Sequence, residues 1–248
     1  MVAVDPGDVD SIRSALTGAQ KAFSLSPLDS DHAAPFGINF VEAAKQAGIE
    51  HIVRASALGA GMAQPITMNT WHREVEQAVE ASGIPYTVVR PNYFMQNYVS
   101  VAAPTVRAQN AFYLPHGDGA ISSIDVRDVG EVVATVLTER GHEGMVYDLT
   151  GPEALSHHDA ARILSRLTGR TIEYPAVPDD AARQAMRDMG MAPDIIEGLL
   201  ELARVIREGG YPSEVYPAVE QVTGRRPRSF ERFAKDHLEF FDAAAEAA

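Results

Sequence analysis

"HIVRASALGAGMAQPITMNTWHREVEQAVEASGIPYTVVRP", His51 to Pro91, is the stretch on which the fold class turns. It opens on a short, mostly apolar run that ends at small residues, the pattern of a strand buried on both faces. Trp71, Val75, Ala78 and Val79 then recur at helical spacing and form one stripe. Gly83 stops that helix and Pro85 stands just beyond it. "YTVVRP", Tyr86 to Pro91, is the next strand, closed by its proline. Strand, helix and strand in this order make a crossover unit, whose two strands run parallel. "GAGM", Gly59 to Met62, follows the first strand but lacks the third glycine and the helix start of a nucleotide-binding turn, so it reads as a loop.

The same rhythm extends outward on both sides. Val2 to Val4 is a β-prone run ended by the turn Asp5-Pro6-Gly7. Asp8 caps a helix carrying Val9, Ile12 and Leu16, and Lys21 to Leu25 follows as a strand. Phe36, Phe40, Ala43, Ala44 and Ala47 share a helix face that Gly48 terminates. Asp125 caps a helix with Val126, Val129, Val133, Val136 and Leu137 on one side, and "MVYDLTG", Met145 to Gly151, is a further strand. The expectation is an α/β fold, a Rossmann-like parallel sheet with helices on both faces, occupying residues 1–150. From Gly151 the pattern changes. Ser156 and Asp159 have the spacing of a capping box, and "TIEYPAV", Thr171 to Val177, reads as one more strand. Helical stretches follow around Ala181–Met189, Asp194–Glu208 and Phe230–Phe241. Residues 151–248 are therefore expected to be mostly helical, a small substrate-binding or lid region, although the wide apolar stripe from Ile195 to Ile206 also fits simple core packing.

Composition excludes several classes of function. The 248 residues are 46% hydrophobic and 22% charged, ordinary for a globular chain. With no cysteine there is no disulfide, no thiolate metal site and no cysteine nucleophile. Lys and Arg number 21 against 34 Asp and Glu, a formal charge of −13 that repels phosphate backbones and anionic membranes. Neither nucleic acid nor a membrane is an expected partner. "GRRPRSFERFAK", Gly224 to Lys235, is the local exception, and a solvated helix end accounts for it. No apolar stretch is long enough to span a bilayer and no secretory leader is visible, so a cytoplasmic protein is expected.

Five segments, "DVDSIRSALTGAQKAFSLSP", "AAKQAGIEHIVRASALGA", "WHREVEQAVEASGIPYTVVRPNYFMQN", "ISSIDVRDVGEVVATVLTERGHEGMVYDLTGPEALS" and "TGRRPRSFERFAKDH", together resemble the NmrA-like family of atypical short-chain dehydrogenases. The resemblance runs over nearly the whole chain in the family's order. It implies a Rossmann-like fold and a habit of binding NADPH or NADH; some members reduce quinones or small carbonyls, others sense the nucleotide without catalysis. Aligned in this way, Val2 falls on the family's third strand, and the first strand, its glycine-rich loop, the first helix and the second strand have no counterpart. The expectation is a shortened sheet with weakened nucleotide affinity. Its exposed edge is closed by the third strand shifting inward, by a second copy of the chain or by another partner.

The resemblance also points to site residues. Ser56 lies where ordinary short-chain dehydrogenases hold the substrate carbonyl with a serine, and equally it can simply end a strand. The partner tyrosine and lysine of that site are absent from the next helix. His72 stands there instead, an acid or base by its intrinsic pKa or a hydrogen-bonded structural histidine beside Trp71. Ser24, Leu25, Ser26 and Pro27 fall in a region that touches the cofactor in relatives. "RPNYFMQNY" leaves the C-terminal end of a strand, the ligand side of such sheets. From it Pro91 and Asn92 are candidates for the cofactor, Tyr93 for catalysis, and Phe94, Gln96 and Asn97 for a flat small-molecule substrate, unless Phe94 only packs. His157 and His158 are expected to be exposed in a first helical turn, and His116 to sit in a turn. No metal site is expected. Two further readings stay open: a cofactor-independent isomerase, cyclase or lyase using the same pocket, and a non-catalytic binding or regulatory protein.

Overall fold

The computed structural model describes residues 3–27 and 31–242. In chain order the elements are α1 (Val9–Leu16), β1 (Lys21–Ser24), α2 (Ala33–Ala47), β2 (His51–Ala55), α3 (Thr67–Ala81), β3 (Tyr86–Pro91), α4 (Ala103–Gln109), β4 (Ala120–Ile121), α5 (Val126–Thr138), β5 (Met145–Leu149), β6 (Leu155–Ser156), α6 (His157–Thr168), α7 (Asp179–Asp188), α8 (Pro193–Arg207), α9 (Ala218–Thr223) and α10 (Phe230–Asp236). The chain folds as two compact units, Met1–Pro91 with Gly130–Asp148, and Asn92–Val129 with Leu149–Ala248. Each unit is assembled from two separate stretches, where the sequence suggests a single boundary at Gly151.

The first unit is an α/β fold around a sheet of order β1-β2-β3-β5. β1 and β3 both pair parallel to β2, and the register sets Ser24 beside Arg54 and Arg54 beside Val88. Ala22 and Ile52 project from the sheet into a core with Val41 and Ala44 of α2 and Val75 and Val79 of α3. Burying a side chain the size of valine or isoleucine contributes about 1.5–3 kcal/mol. α2 and α3 approach so closely that a Cβ on Gly37 would lie 2.5 Å from Val75 Cγ2, and only glycine allows this. Asp8 caps α1 by accepting from the Asp10 N–H, and Gly48 ends α2 at φ 73°, as the sequence signals indicate.

The expected strand over Val2–Val4 does not form at Ala3 and Val4, while Val2 lies outside the described residues. β1 therefore takes the edge of the sheet, and it stops at Ser24, one residue short of the predicted Leu25. Alternation along the strand buries Ala22 and Ser24 and turns Phe23 outward.

The second unit holds its core around Tyr98, Phe112, Leu164, Ile172, Phe230 and Phe233. A π-helical turn, Tyr98–Ala102, precedes α4, and β4 pairs antiparallel with β6. At the start of α6 the capping box is complete, with Ser156 and Asp159 serving each other's backbone. "TIEYPAV" is not a strand: it makes one isolated bridge, Ala111 with Glu173. Pro175 lacks the N–H a ladder needs, and the Tyr174 hydroxyl donates to the Leu114 carbonyl at 2.8 Å. The expected helix Phe230–Phe241 breaks after Asp236, and Leu238–Phe240 forms a 3-10 turn. Ile196 and Leu200 of α8 pack with Ala182, Val177 and Met186. Among the described residues no helix is long and apolar enough to cross a membrane.

Candidate active site

Parallel strands end on one side of a sheet, and in the first unit that side carries a polar cluster. Arg54, next to last in β2, is fully buried. Its Nη1 donates to Ser26 Oγ at 3.0 Å and to Ser24 Oγ, its register neighbour, at 3.4 Å. Its Nη2 faces His72 Nδ1 at 3.5 Å, and its Nε has no hydrogen-bond partner among the described residues. Burial lowers the guanidinium to about 10, which leaves it cationic at neutral pH, with the Glu76 charge supporting ionisation.

His72 and Glu76 are one turn apart on α3. Burial, followed by the Arg54 charge, brings the His72 imidazole down to about 4, against a smaller opposing effect of Glu76. Burial also opposes ionisation of Glu76, but its hydrogen bonds outweigh that and hold the carboxyl below its ordinary value. Arg90 forks onto it through Nε at 2.8 Å and Nη2 at 2.7 Å, and Arg73 Nη1 adds a bond at 2.9 Å. Ser56 lies close enough to Glu76 to favour the carboxylate, yet among the described residues its buried Oγ has no hydrogen bond of acceptable geometry.

Of the residues predicted from sequence, the structure gathers Ser24, Ser26, Ser56 and His72 around this cluster. Leu25 is 69% exposed and Pro27 is also exposed. Pro91 is buried, and its carbonyl accepts from the Leu58 N–H at 3.0 Å. Sequence reading missed Arg54. The available signal was an arginine inside a strand whose neighbours are apolar on both sides, since such a charge must find polar company.

The remaining candidates belong to the second unit. Asn92 is buried and donates from Nδ2 to Ser122 Oγ at 2.9 Å, Pro212 O at 2.9 Å and Ser122 O at 3.2 Å. Gln96 donates to Asp125 Oδ1 at 2.9 Å and accepts from the Val126 N–H at 3.1 Å. Burial raises the Tyr93 hydroxyl to about 12, with a smaller opposing effect from Asn97. Phe94 is exposed.

The second unit also holds a chain of rings. His157 Nδ1 lies 2.7 Å from the Tyr98 hydroxyl, and His157 Nε2 lies 2.6 Å from His116 Nδ1. His157 is therefore buried, contrary to the exposure expected of a first helical turn, because α6 turns that face into the core. His158 does face solvent and pairs with Asp118 at 3.2 Å. Among the described residues no group of three His, Cys, Asp or Glu could hold a metal ion. The basic run near the C-terminus is met by acids: Arg228 by Asp128, Arg232 by Asp236 at 2.9 Å and Lys235 by Glu231 at 2.8 Å.

A family model, that of the NmrA-like family, matches residues 1–239. The chain belongs to the NmrA-like family. It is similar to the NAD(P)H azoreductase of Xenophilus azovorans, with 38% identity over 94% of this chain and 81% of that protein. Quinone oxidoreductase 2 of Escherichia coli is 32% identical over 79% of this chain and 68% of that protein. Among solved structures, the Escherichia coli NADPH-dependent quinone oxidoreductase complexed with NADPH superposes with a TM-score of 0.84 at 28% identity, covering 95% of this chain and 82% of that one. Within this NmrA-like chain, Arg54 Nε and Ser56 Oγ are buried at the strand ends without a hydrogen-bond partner among the described residues, beside His72.

Proposed function

We propose that this NmrA-like chain is a reductase that transfers a hydride from NADPH or NADH to a quinone or a small carbonyl compound. The observation that carries the reading is the orphaned, buried Ser56 Oγ at the end of β2, beside the helix that presents His72. A buried hydroxyl without a partner costs about 1–3 kcal/mol, and an acceptor oxygen removes that cost. The family, and relatives named for NAD(P)H-dependent azo and quinone reduction, support the same chemistry.

The strand-end residues fit a dinucleotide. Ser24, Ser26 and Ser56 supply hydroxyls, and the exposed Leu25 supplies apolar cover for a ring. We assign Ser24–Pro27, Ser56 and Pro91 to holding it. When bound, the reduced nicotinamide supplies the hydride. As hydride arrives, negative charge grows on the acceptor oxygen, and Ser56 Oγ–H and the His72 N–H stabilise it as hydrogen-bond donors. His72 is neutral at pH 7, so it holds the oxygen without surrendering a proton, which then comes from water. A quinone suits this arrangement because its reduced oxygen does not need protonation in the same step. Burial holds the Tyr93 hydroxyl at about 12, a weaker acid than free tyrosine.

The test is loss of reduced-nicotinamide absorbance with purified chain, first with 1,4-benzoquinone and menadione, then with small aldehydes. Acceptor-dependent oxidation that saturates in NADPH or NADH supports the reading. A folded chain that neither binds either nucleotide in calorimetry nor oxidises it overturns the reading.

A further inference from the structure

Building on that reading of Ser56 and His72, we infer that Arg54 is a positioning residue that fixes His72 as the neutral tautomer with its proton on Nε2, so that the imidazole meets a ligand as a donor. The argument rests on what a guanidinium can do. It carries five N–H donors and no acceptor, so any atom facing it must bring a lone pair. The atom facing Arg54 Nη2 is His72 Nδ1, at 3.5 Å. Nδ1 is thereby kept unprotonated, and a neutral imidazole has only Nε2 left for its proton. Among the described residues Nε2 has no hydrogen-bond partner, and His72 is partly exposed.

Arg54 is itself held so that it cannot turn away. Ser26 Oγ at 3.0 Å and Ser24 Oγ at 3.4 Å accept from Nη1, and the parallel register of β1 and β2 places Ser24 directly beside it. Among the described residues no carboxylate hydrogen-bonds to this guanidinium. Glu76 acts on it only through space, because Arg90 and Arg73 occupy both Glu76 oxygens. Among the described residues the charged groups facing His72 are thus Arg54 from β2 and Glu76 from its own helix, and Ser24 and Ser26 present their hydroxyls to this arginine. A second proton on His72 would set one buried cation against another, and the low His72 value agrees with that. Without Arg54, either ring nitrogen could carry the proton, and Nε2 would face the ligand as an acceptor part of the time.

The test needs neither cofactor nor substrate, so it stands apart from the question of which reaction the chain performs. The chain is labelled with 15N-histidine, and long-range proton–nitrogen correlations are recorded from pH 8 down to the acid limit of folding. His72→Gln identifies the His72 signals among the eight histidines. The expected result is an Nε2–H tautomer at pH 7 with no titration between pH 8 and 5. Arg54→Lys, which keeps a cationic donor, retains that tautomer. Arg54→Met yields mixed tautomers and a titration at least tenfold easier in proton concentration. An Nδ1–H tautomer in the unaltered chain overturns the inference without any variant being folded. So does a folded Arg54→Met chain whose His72 tautomer and titration are unmoved. Loss of quinone reduction with the expected tautomer intact would instead count against the reductase reading alone.

Discussion

Arg90 and Glu76 form a two-pronged ion pair, Nε to Oε1 at 2.8 Å and Nη2 to Oε2 at 2.7 Å, with the Glu76 side chain wholly buried. It joins β3 to α3 and fixes the helix face that presents His72. Removing one member of such a pair leaves an uncompensated charge, which costs about 3–5 kcal/mol. Glu76→Gln is therefore expected to lower stability by about 3 kcal/mol, since among the described residues Arg90 then retains only Asp148, at 3.9 Å, as an acidic neighbour. Urea unfolding followed by the fluorescence of Trp71 measures it. An unchanged midpoint would show that the pair contributes nothing net.

The buried pair His116–His157 predicts acid sensitivity of the second unit. Burial lowers His116 from 6.5 to about 4, and burial followed by its histidine neighbours lowers His157 well below 6.5. The unfolded chain therefore binds protons that the folded one excludes. Stability is complete above about pH 6.5 and falls as pH drops toward 4, by about 3 kcal/mol for His116 alone. Hydrogen exchange of the α6 amides at pH 7 and pH 5, corrected for intrinsic rates, reads this loss. Protection free energies that are equal at the two pH values would refute it.

Much of the fold was legible because its signals are local. Trp71, Val75 and Val79 share a stripe that Gly83 ends, and α3 follows it; Ser156 and Asp159 announce α6 in the same way. Thr171–Val177 misled because β-branched and aromatic residues report fit to a pleated surface, not the presence of a partner strand. β4 and β6, two residues each, are too short for any alternation to show. Within the site, Ser56 and His72 were legible from residue type and place. Arg54 was not, because its partners Ser24, Ser26 and His72 are distant in sequence and come together only through strand register. His157 was misread for a related reason: position in a first turn does not say which side of the helix meets the core.

Asn92 anchors three chain segments of the second unit through one amide nitrogen, which serves Ser122 twice and Pro212 once. Asn92→Ala leaves Ser122 and Pro212 carbonyls without that donor, at a cost of about 2 kcal/mol. The effect is local: the Ser122 amide, bonded to Pro212 O at 2.8 Å, and the Gly151 amide, bonded to Ser122 O at 3.2 Å, exchange faster. Amide-resolved exchange checks this, and unchanged protection at both amides would show that the side chain is not what holds the segments.

Ser56→Ala separates a catalytic hydroxyl from a strand-ending one. Among the described residues its Oγ makes no well-formed hydrogen bond, so replacing it removes a buried unsatisfied group and raises stability by about 1–3 kcal/mol. If that hydroxyl stabilises charge on the acceptor oxygen, its loss costs about 10²-fold in kcat/KM for the quinone. Ser26→Ala is the contrasting variant, because Ser26 Oγ accepts from Arg54 Nη1 at 3.0 Å and its removal loosens the arginine. Steady-state quinone reduction and thermal unfolding of both variants provide the comparison. A folded Ser56→Ala chain with undiminished kcat/KM would return Ser56 to the role of a residue that merely ends β2.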